Sequence, residues 1–222
     1  MIGIIGAMHE EITVIKNEMK NITEKVVNGN TFYLGLLNNK EVVLVECGIG
    51  MVNAAIITTL LVKEFNVEKI YFSGVAGSTS EKLKIGDIVI STKLQEYLFD
   101  VTEFGHEKGV IPRMETSLFR PGKILDESME KLKGENVYFG GIISGDKFIS
   151  NAKEKITIGK EFDAMCVDME SASVAHSAYL LGVDFLIIRS ISDTVTDESG
   201  MEFFEFVNIA AENSKKILTK LI

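Results

Sequence analysis

Four short segments place polar or aromatic residues just beyond apolar runs, where a buried strand would end, and each combination suggests a chemistry. Residues 2–5 run out into Met8-His9-Glu10-Glu11. Two adjacent carboxylates at a helix start complement the helix dipole, and one of them at a strand mouth also suits a base. In Val167-Asp168-Met169-Glu170 either acid can start a helix, or Glu170 can hold a diol, since a carboxylate accepts from two hydroxyls at once. Residues 185–188 lead into Arg189-Ser190-Ile191-Ser192-Asp193. An Arg and an Asp at the end of a core strand are costly unless satisfied. They form either a buried ion pair that fixes the fold or a site in which neighbours tune Asp193 as an acid. Ser144-Gly145-Asp146-Lys147-Phe148-Ile149 closes another apolar run. There Phe148 is a core residue by default and equally able to stack on a planar base.

Other motifs carry less. His9, His106 and His176 have no metal-ligand spacing and H-E-x-x-H is absent, so no metal site is expected. Gly3-x-x-Gly6 falls short of the dinucleotide fingerprint. Gly48-Ile49-Gly50 ahead of a helix suits a phosphate or a ribose. Cys47 and Cys166 stand far apart and read as buried reduced thiols. The net charge of −9 and the absence of a basic block argue against nucleic acid or an anionic membrane as a partner. No apolar run approaches the ~18 residues of a membrane span, and the opening Met1-Ile2-Gly3-Ile4 has no basic leader, so a cytoplasmic location is expected.

The elements that must position these residues alternate along the chain. The apolar runs at 2–7, 69–73, 164–168 and 184–190 read as buried strands. Strands are also expected at 31–37, 42–46, 87–91, 95–101 and 137–144, with an Asn38-Asn39 turn between the first two. Helices are expected at 10–19, 51–65, 126–132, 152–162, 170–181 (closed by Gly182) and 202–222. Residues 102–122 hold both prolines and two of the three arginines, with no clean period, and read as a long functional loop. Alternating strands and helices with all-apolar strands indicate an α/β fold. There is no linker or repeat, so one domain over 1–222 is expected, with ligands beyond the carboxyl ends of its strands.

Taken in order, the motifs resemble the 5′-methylthioadenosine/S-adenosylhomocysteine nucleosidases of the purine nucleoside phosphorylase-like family. The likeness runs the length of the chain. It rests on Ile4-Ile5-Gly6-Ala7-Met8 with Glu10-Glu11, on Cys47-Gly48-Ile49-Gly50, and on Lys84-Ile85-Gly86-Asp87-Ile88-Val89. Further marks are Asp100-Val101-Thr102 with Phe104-Gly105, Ser144-Gly145-Asp146 with Phe148-Ile149, Asp168-Met169-Glu170, and the segment from Arg189 to Asp193.

The resemblance implies a mixed twisted sheet surrounded by helices, a homodimer, no cofactor and no metal. It implies hydrolysis of the N-glycosidic bond of an adenine nucleoside, in methionine salvage and recycling of S-adenosylmethionine by-products. Glu11 would activate the water, Asp193 would protonate N7 of adenine, and Glu170 would bind the ribose hydroxyls. Met169 would pack on the sugar, Phe148 would stack on adenine, the Ile149 backbone would read the base edge, and Arg189 would lie near the sugar and the water. Met8, Ile49, Val75, Ser192 and Phe203 would complete the substrate site, with Val101, Phe104 and Pro112 reaching in from a neighbouring subunit. Two positions depart from the pattern: Val75 replaces a residue that often carries a hydroxyl, and His106 replaces an aromatic hydroxyl near the 5′ substituent.

This chemistry accounts for the residue types. Breaking a ribosyl C–N bond develops an oxocarbenium-like transition state, and the purine must be protonated as it leaves. An acid, a base and a sugar clamp are the minimum set, each acid–base group contributing about 10²–10⁴. A phosphorylase on the same fold would need a cationic cradle, and Glu11 would repel phosphate there. A nucleosidase for a futalosine-type compound and a non-catalytic nucleoside-binding protein are also compatible with these residues.

Overall fold

A computed structural model describes residues 1–196 and 201–222. Its elements follow from the apolar patterning. Strand β1 (Ile2–Gly6) lies between parallel β4 (Lys40–Glu46) and β5 (Lys69–Ser78), and it is buried from Gly3 onward, which accounts for its apolar run. β3 (Asn30–Leu37) and β2 (Lys20–Val27) add antiparallel strands outside β4. β5 also pairs in parallel with β9 (Asp184–Asp193) and in antiparallel with the short β8 (Cys166–Asp168). β7 (Val137–Ser144) joins β8 to β6 (Ile88–Glu96), and β6 pairs back onto β9. The order β2-β3-β4-β1-β5-β8-β7-β6-β9, with its extra β5–β9 pairing, closes the last five strands into a ring. The sheet is mixed and helices pack around it, as expected.

Helix α1 (His9–Lys16) follows β1, α2 (Met51–Phe65) follows β4, and α3 (Lys123–Lys131) precedes β7. α4 (Ala152–Glu161) and α5 (Ser171–Leu181) flank β8, and α6 (Met201–Leu221) closes the chain. α5 stops at Gly182, whose φ of 69° is the left-handed cap the sequence predicts. Residues 102–122 hold one short 3₁₀ turn (Thr102–Phe104) and a bridge from Phe119 to Leu94, so the long irregular loop is found where expected.

Three expectations are corrected. β2 has no counterpart among the expected strands, because as an edge strand it is exposed along nearly its whole length and has no apolar alternation. The separate strands at 87–91 and 95–101 are one strand, β6, which crosses a bulge between Ser91 and Lys93 and ends at Glu96. The loop expected after residue 73 is the continuation of β5, and β9 likewise extends to Asp193. These extensions hold Val75, Ser192 and Asp193 on strands rather than on free loops.

Candidate active site

The carboxyl ends of β1, β5, β8 and β9 surround a cavity of about 350 Å³. Glu11, Met8, Ile49, Val75, Phe148, Met169, Glu170, Ser192, Asp193 and Phe203 line it, so ten of the residues named from the sequence converge on one place. Ala7, Ala76, Gly77, Val167 and Asp168 complete the wall.

Glu11 sits in the first turn of α1 and is buried. Its Oε2 accepts the amides of Ala7 (2.5 Å) and Met8 (3.1 Å), and its Oε1 accepts that of Val75 (2.9 Å). Backbone amides do converge on this carboxyl, as a helix N-terminus provides. Burial nevertheless wins: desolvation pushes its pKa above the ordinary value, against the opposing pull of Arg189 and the three amides. Val75 thus serves the site through its backbone, while its side chain packs against Val207, Ala210 and Ala211.

Glu170 is the residue ahead of α5, and its Oε1 accepts the amide of Gly50 at 2.8 Å. Burial, and then the charge of Asp168, push its pKa up to about 8, with Arg189 and the Gly50 amide opposing. Burial thus favours the neutral form of this carboxyl, which can donate to a diol as well as accept from it. Gly50 takes φ +104°, which brings its N–H to that carboxyl, and the next amide, Met51, donates to Asp146 Oδ1 at 2.8 Å. The amides at the start of α2 are therefore occupied by carboxyl groups and do not form an open anion cradle.

Asp168, not Glu170, supplies the side chain that caps the start of α5. Its Oδ1 accepts the amides of Glu170 (3.2 Å) and Ser171 (3.1 Å) and the Ser144 hydroxyl (2.5 Å). Its Oδ2 accepts Arg189 Nε at 2.7 Å and the Ser171 hydroxyl. The ion pair weighed for Arg189 and Asp193 is not formed. Arg189 pairs with Asp168, lies over the Phe72 ring (3.8 Å) and stands behind the cavity rather than in its wall. Asp193 pairs instead with Lys155, Nζ to Oδ2 at 2.5 Å, while Ser192 Oγ donates to its Oδ1 at 2.8 Å.

Lys155 is the neighbour of the site that sequence reasoning missed; Asp168, read from the sequence as a possible helix start, fills that place and also pairs with Arg189. Within Ala152-Lys153-Glu154-Lys155 a lysine reads as part of a solvated face. The available signal was its spacing: Lys155, Ile158 and Gly159 form the buried stripe of α4.

The aromatic wall is half open. Phe148 is 49% exposed, so it is not a core residue, and its ring meets Phe203 edge-on at 5.7 Å between centroids. The Ile149 side chain is buried with Tyr97 and Ile143 and does not line the cavity, which leaves only its backbone for a ligand. Val101, Phe104 and Pro112 do not line this chain's cavity either; Phe104 is 80% exposed on its short turn. His106 is exposed on the same loop. Cys47 and Cys166 are free and buried, as expected. Among the described residues, no cluster of side chains fits a metal, and no lysine or arginine lines the cavity. No helix among them is long and apolar enough to cross a membrane.

The whole chain matches one family: residues 1–222 fit the phosphorylase superfamily, to which the chain belongs. Within that family the chain is 40% identical to a 5′-methylthioadenosine/S-adenosylhomocysteine nucleosidase from Staphylococcus haemolyticus, over 100% of this chain and 99% of the relative. Among solved structures it is similar to the Helicobacter pylori 5′-methylthioadenosine/S-adenosylhomocysteine nucleosidase complexed with a substituted pyrrolidin-3-ol (TM-score 0.92, 36% identity, 99% and 96% of the two chains). It is also similar to the futalosine hydrolase of H. pylori (TM-score 0.92, 34% identity, 99% and 96% coverage).

Proposed function

We propose that the protein is an N-glycosyl hydrolase that cleaves 5′-methylthioadenosine and S-adenosylhomocysteine, and also 5′-deoxyadenosine, to adenine and the corresponding ribose. The observation that carries this reading is the set of three carboxyls, Glu11, Glu170 and Asp193, brought into one cavity that no cationic side chain lines among the described residues. The names of the relatives supply the substrates.

In this reading the adenine lies between Phe148 and Phe203, with its edge toward the Ile149 backbone and Ser192. Asp193 delivers a proton to N7 as the glycosidic pair withdraws into the purine. Glu170 holds the ribose hydroxyls beside Met169, and Met8, Ile49 and Val75 surround the rest of the sugar. Glu11 takes the proton of the attacking water, with the terminal nitrogens of Arg189 nearby. Occupied amides at the α1 and α2 starts and an acidic Glu11 favour water over phosphate as nucleophile. Oxocarbenium character at C1′ makes water sufficient.

A second copy of the chain completes the site in this proposal. Val101, Phe104 and Pro112 lie away from their own cavity, and Ile49 and Phe148 at the cavity rim are half exposed. A homodimer would cover both sets of residues.

Adenine release in phosphate-free buffer tests the reaction; strict dependence on phosphate would overturn hydrolysis. Asp193→Asn should lower turnover by at least about 10² while still binding adenine, and near-normal turnover would remove its assigned role. The likeness to a futalosine hydrolase supports a second reading, a nucleosidase for a futalosine-type nucleoside. Relative kcat/KM across a nucleoside panel separates the two.

A further inference from the structure

An acid that must protonate a leaving base needs a proton, and the ionic partner of Asp193 is a group that carries protons, the Lys155 amine. Lys155 Nζ lies 2.5 Å from Asp193 Oδ2 and 2.9 Å from the Thr194 carbonyl oxygen, which it also serves as donor. Lys155 is 0% exposed and Asp193 2%. Gly77 makes room for the arrangement, since a Cβ there would come within 2.8 Å of Asp193 Oδ2. A buried lysine is rare unless paired, and a buried pair of full charges is not a stability device by itself, because desolvation offsets the attraction. An ammonium carries three donors and no acceptor, so this one can surrender a proton along an existing hydrogen bond. Lys155 does not line the cavity, so it reaches substrate only through Asp193.

We propose that Lys155 is a positioning residue for leaving-group protonation: it holds Asp193 in place and acts as the proton store behind it. The inference rests on the nucleosidase reading above. At rest the pair is ammonium and carboxylate. When a nucleoside covers the cavity, one proton crosses from Nζ to Oδ2, leaving amine and carboxylic acid and removing two charges from a dry site. As the C1′–N9 bond breaks, its electron pair moves into the purine and N7 takes the proton from Asp193. Water forms the new bond to C1′, and its surplus proton goes to the Glu11 carboxylate. After products leave, Glu11 releases that proton to solvent and Lys155 takes one back. The net change is one water consumed and one C–N bond cleaved.

The test compares two leaving groups on the same enzyme. Adenine needs a proton to leave, whereas 4-nitrophenolate is a stable anion and does not. Turnover of 5′-methylthioadenosine and of the 4-nitrophenyl riboside bearing the same 5′-methylthio group is measured for wild type and Lys155→Met. The expected result is a loss of at least about 10² in kcat for the nucleoside, with aryl riboside turnover changed only severalfold. If Lys155→Met does not fold, Lys155→Arg carries the test. It keeps the charge and the hydrogen bond, but a guanidinium does not give up its proton, so it should show the same split. Equal losses on both substrates, or undiminished nucleoside turnover, would overturn the proposal while leaving the nucleosidase reading intact. Failure of the wild type to release adenine from any nucleoside would overturn the nucleosidase reading and this proposal with it.

Discussion

Arg189 donates from Nε to Asp168 Oδ2 at 2.7 Å, and both of its terminal nitrogens lack a hydrogen-bond partner among the described residues. The guanidinium is fully buried, and Glu11 and Glu170 both act on it through charge. Asp168 therefore anchors the cation, while the free end of the fork faces the carboxyls of the cavity. An unmet donor pair in so dry a place is what a site reserves for a ligand or a reacting water.

Asp168→Ala removes the anchor and leaves a buried guanidinium without its paired carboxylate. The expected cost is about 3–5 kcal/mol of stability, read from urea unfolding. A loss below about 1 kcal/mol would mean that Arg189 finds another partner.

Glu11 must be ionised to accept a proton from water, and burial holds its pKa above the ordinary 4.5. Turnover should accordingly fall as pH drops through a midpoint above 4.5, higher than an exposed glutamate would give. Glu170 titrates in the same cavity, so the profile is best recorded in Glu170→Gln, where the acidic limb should persist. A limb at or below 4.5 would contradict the role of burial at Glu11.

Glu170 yields a stability prediction with a definite sign. Its pKa in the fold is about 8 against an ordinary value of 4.5, so the native state binds more protons than the unfolded chain across that window. Its contribution to stability is fully present below 4.5 and is lost as pH rises toward and through 8. Glu170→Gln should therefore gain on wild type between about pH 5 and about pH 9. At about 1.4 kcal/mol per pKa unit the gain amounts to a few kcal/mol. Urea midpoints at the two pH values measure it, and a gap that does not widen with pH would refute it.

Gly74 has no room for a side chain. A Cβ there would overlap both Arg189 Nη1 and Glu11 Oε1. Both groups are buried and held from the other side, so neither can retreat cheaply. Gly74→Ala should cost about 1–3 kcal/mol and lower turnover by roughly 10² through misplacement of the base. Full activity in the variant would show that the two side chains are mobile.

The sequence is most legible where burial is two-sided or a helix is well punctuated. The expected and observed ends of Met51–Phe65 coincide, because its entry glycine and its run of small and branched residues are local signals. Glu11, Glu170 and Asp193 stand out because charge beyond an apolar strand is costly and so conspicuous. The partners of those charges do not. Arg189 and Asp193 are close neighbours in the chain, yet one meets Asp168 at the end of β8 and the other Lys155 on α4, 21 and 38 positions away. Such pairings depend on β5 lying between β8 and β9, and register of that kind leaves no mark on local spacing.

The ring formed by β5, β8, β7, β6 and β9 has a consequence for how the molecule breathes. Within that ring β5 and β9 have a ladder neighbour on both sides, and they carry Val75, Ser192 and Asp193. Amides on these strands can meet solvent only when the ring opens as a unit, so their hydrogen exchange should report global unfolding. The polar outer strand β2 has one neighbour and can detach alone. Deuterium uptake should thus advance from the β2 margin inward and reach the strands behind the acid last.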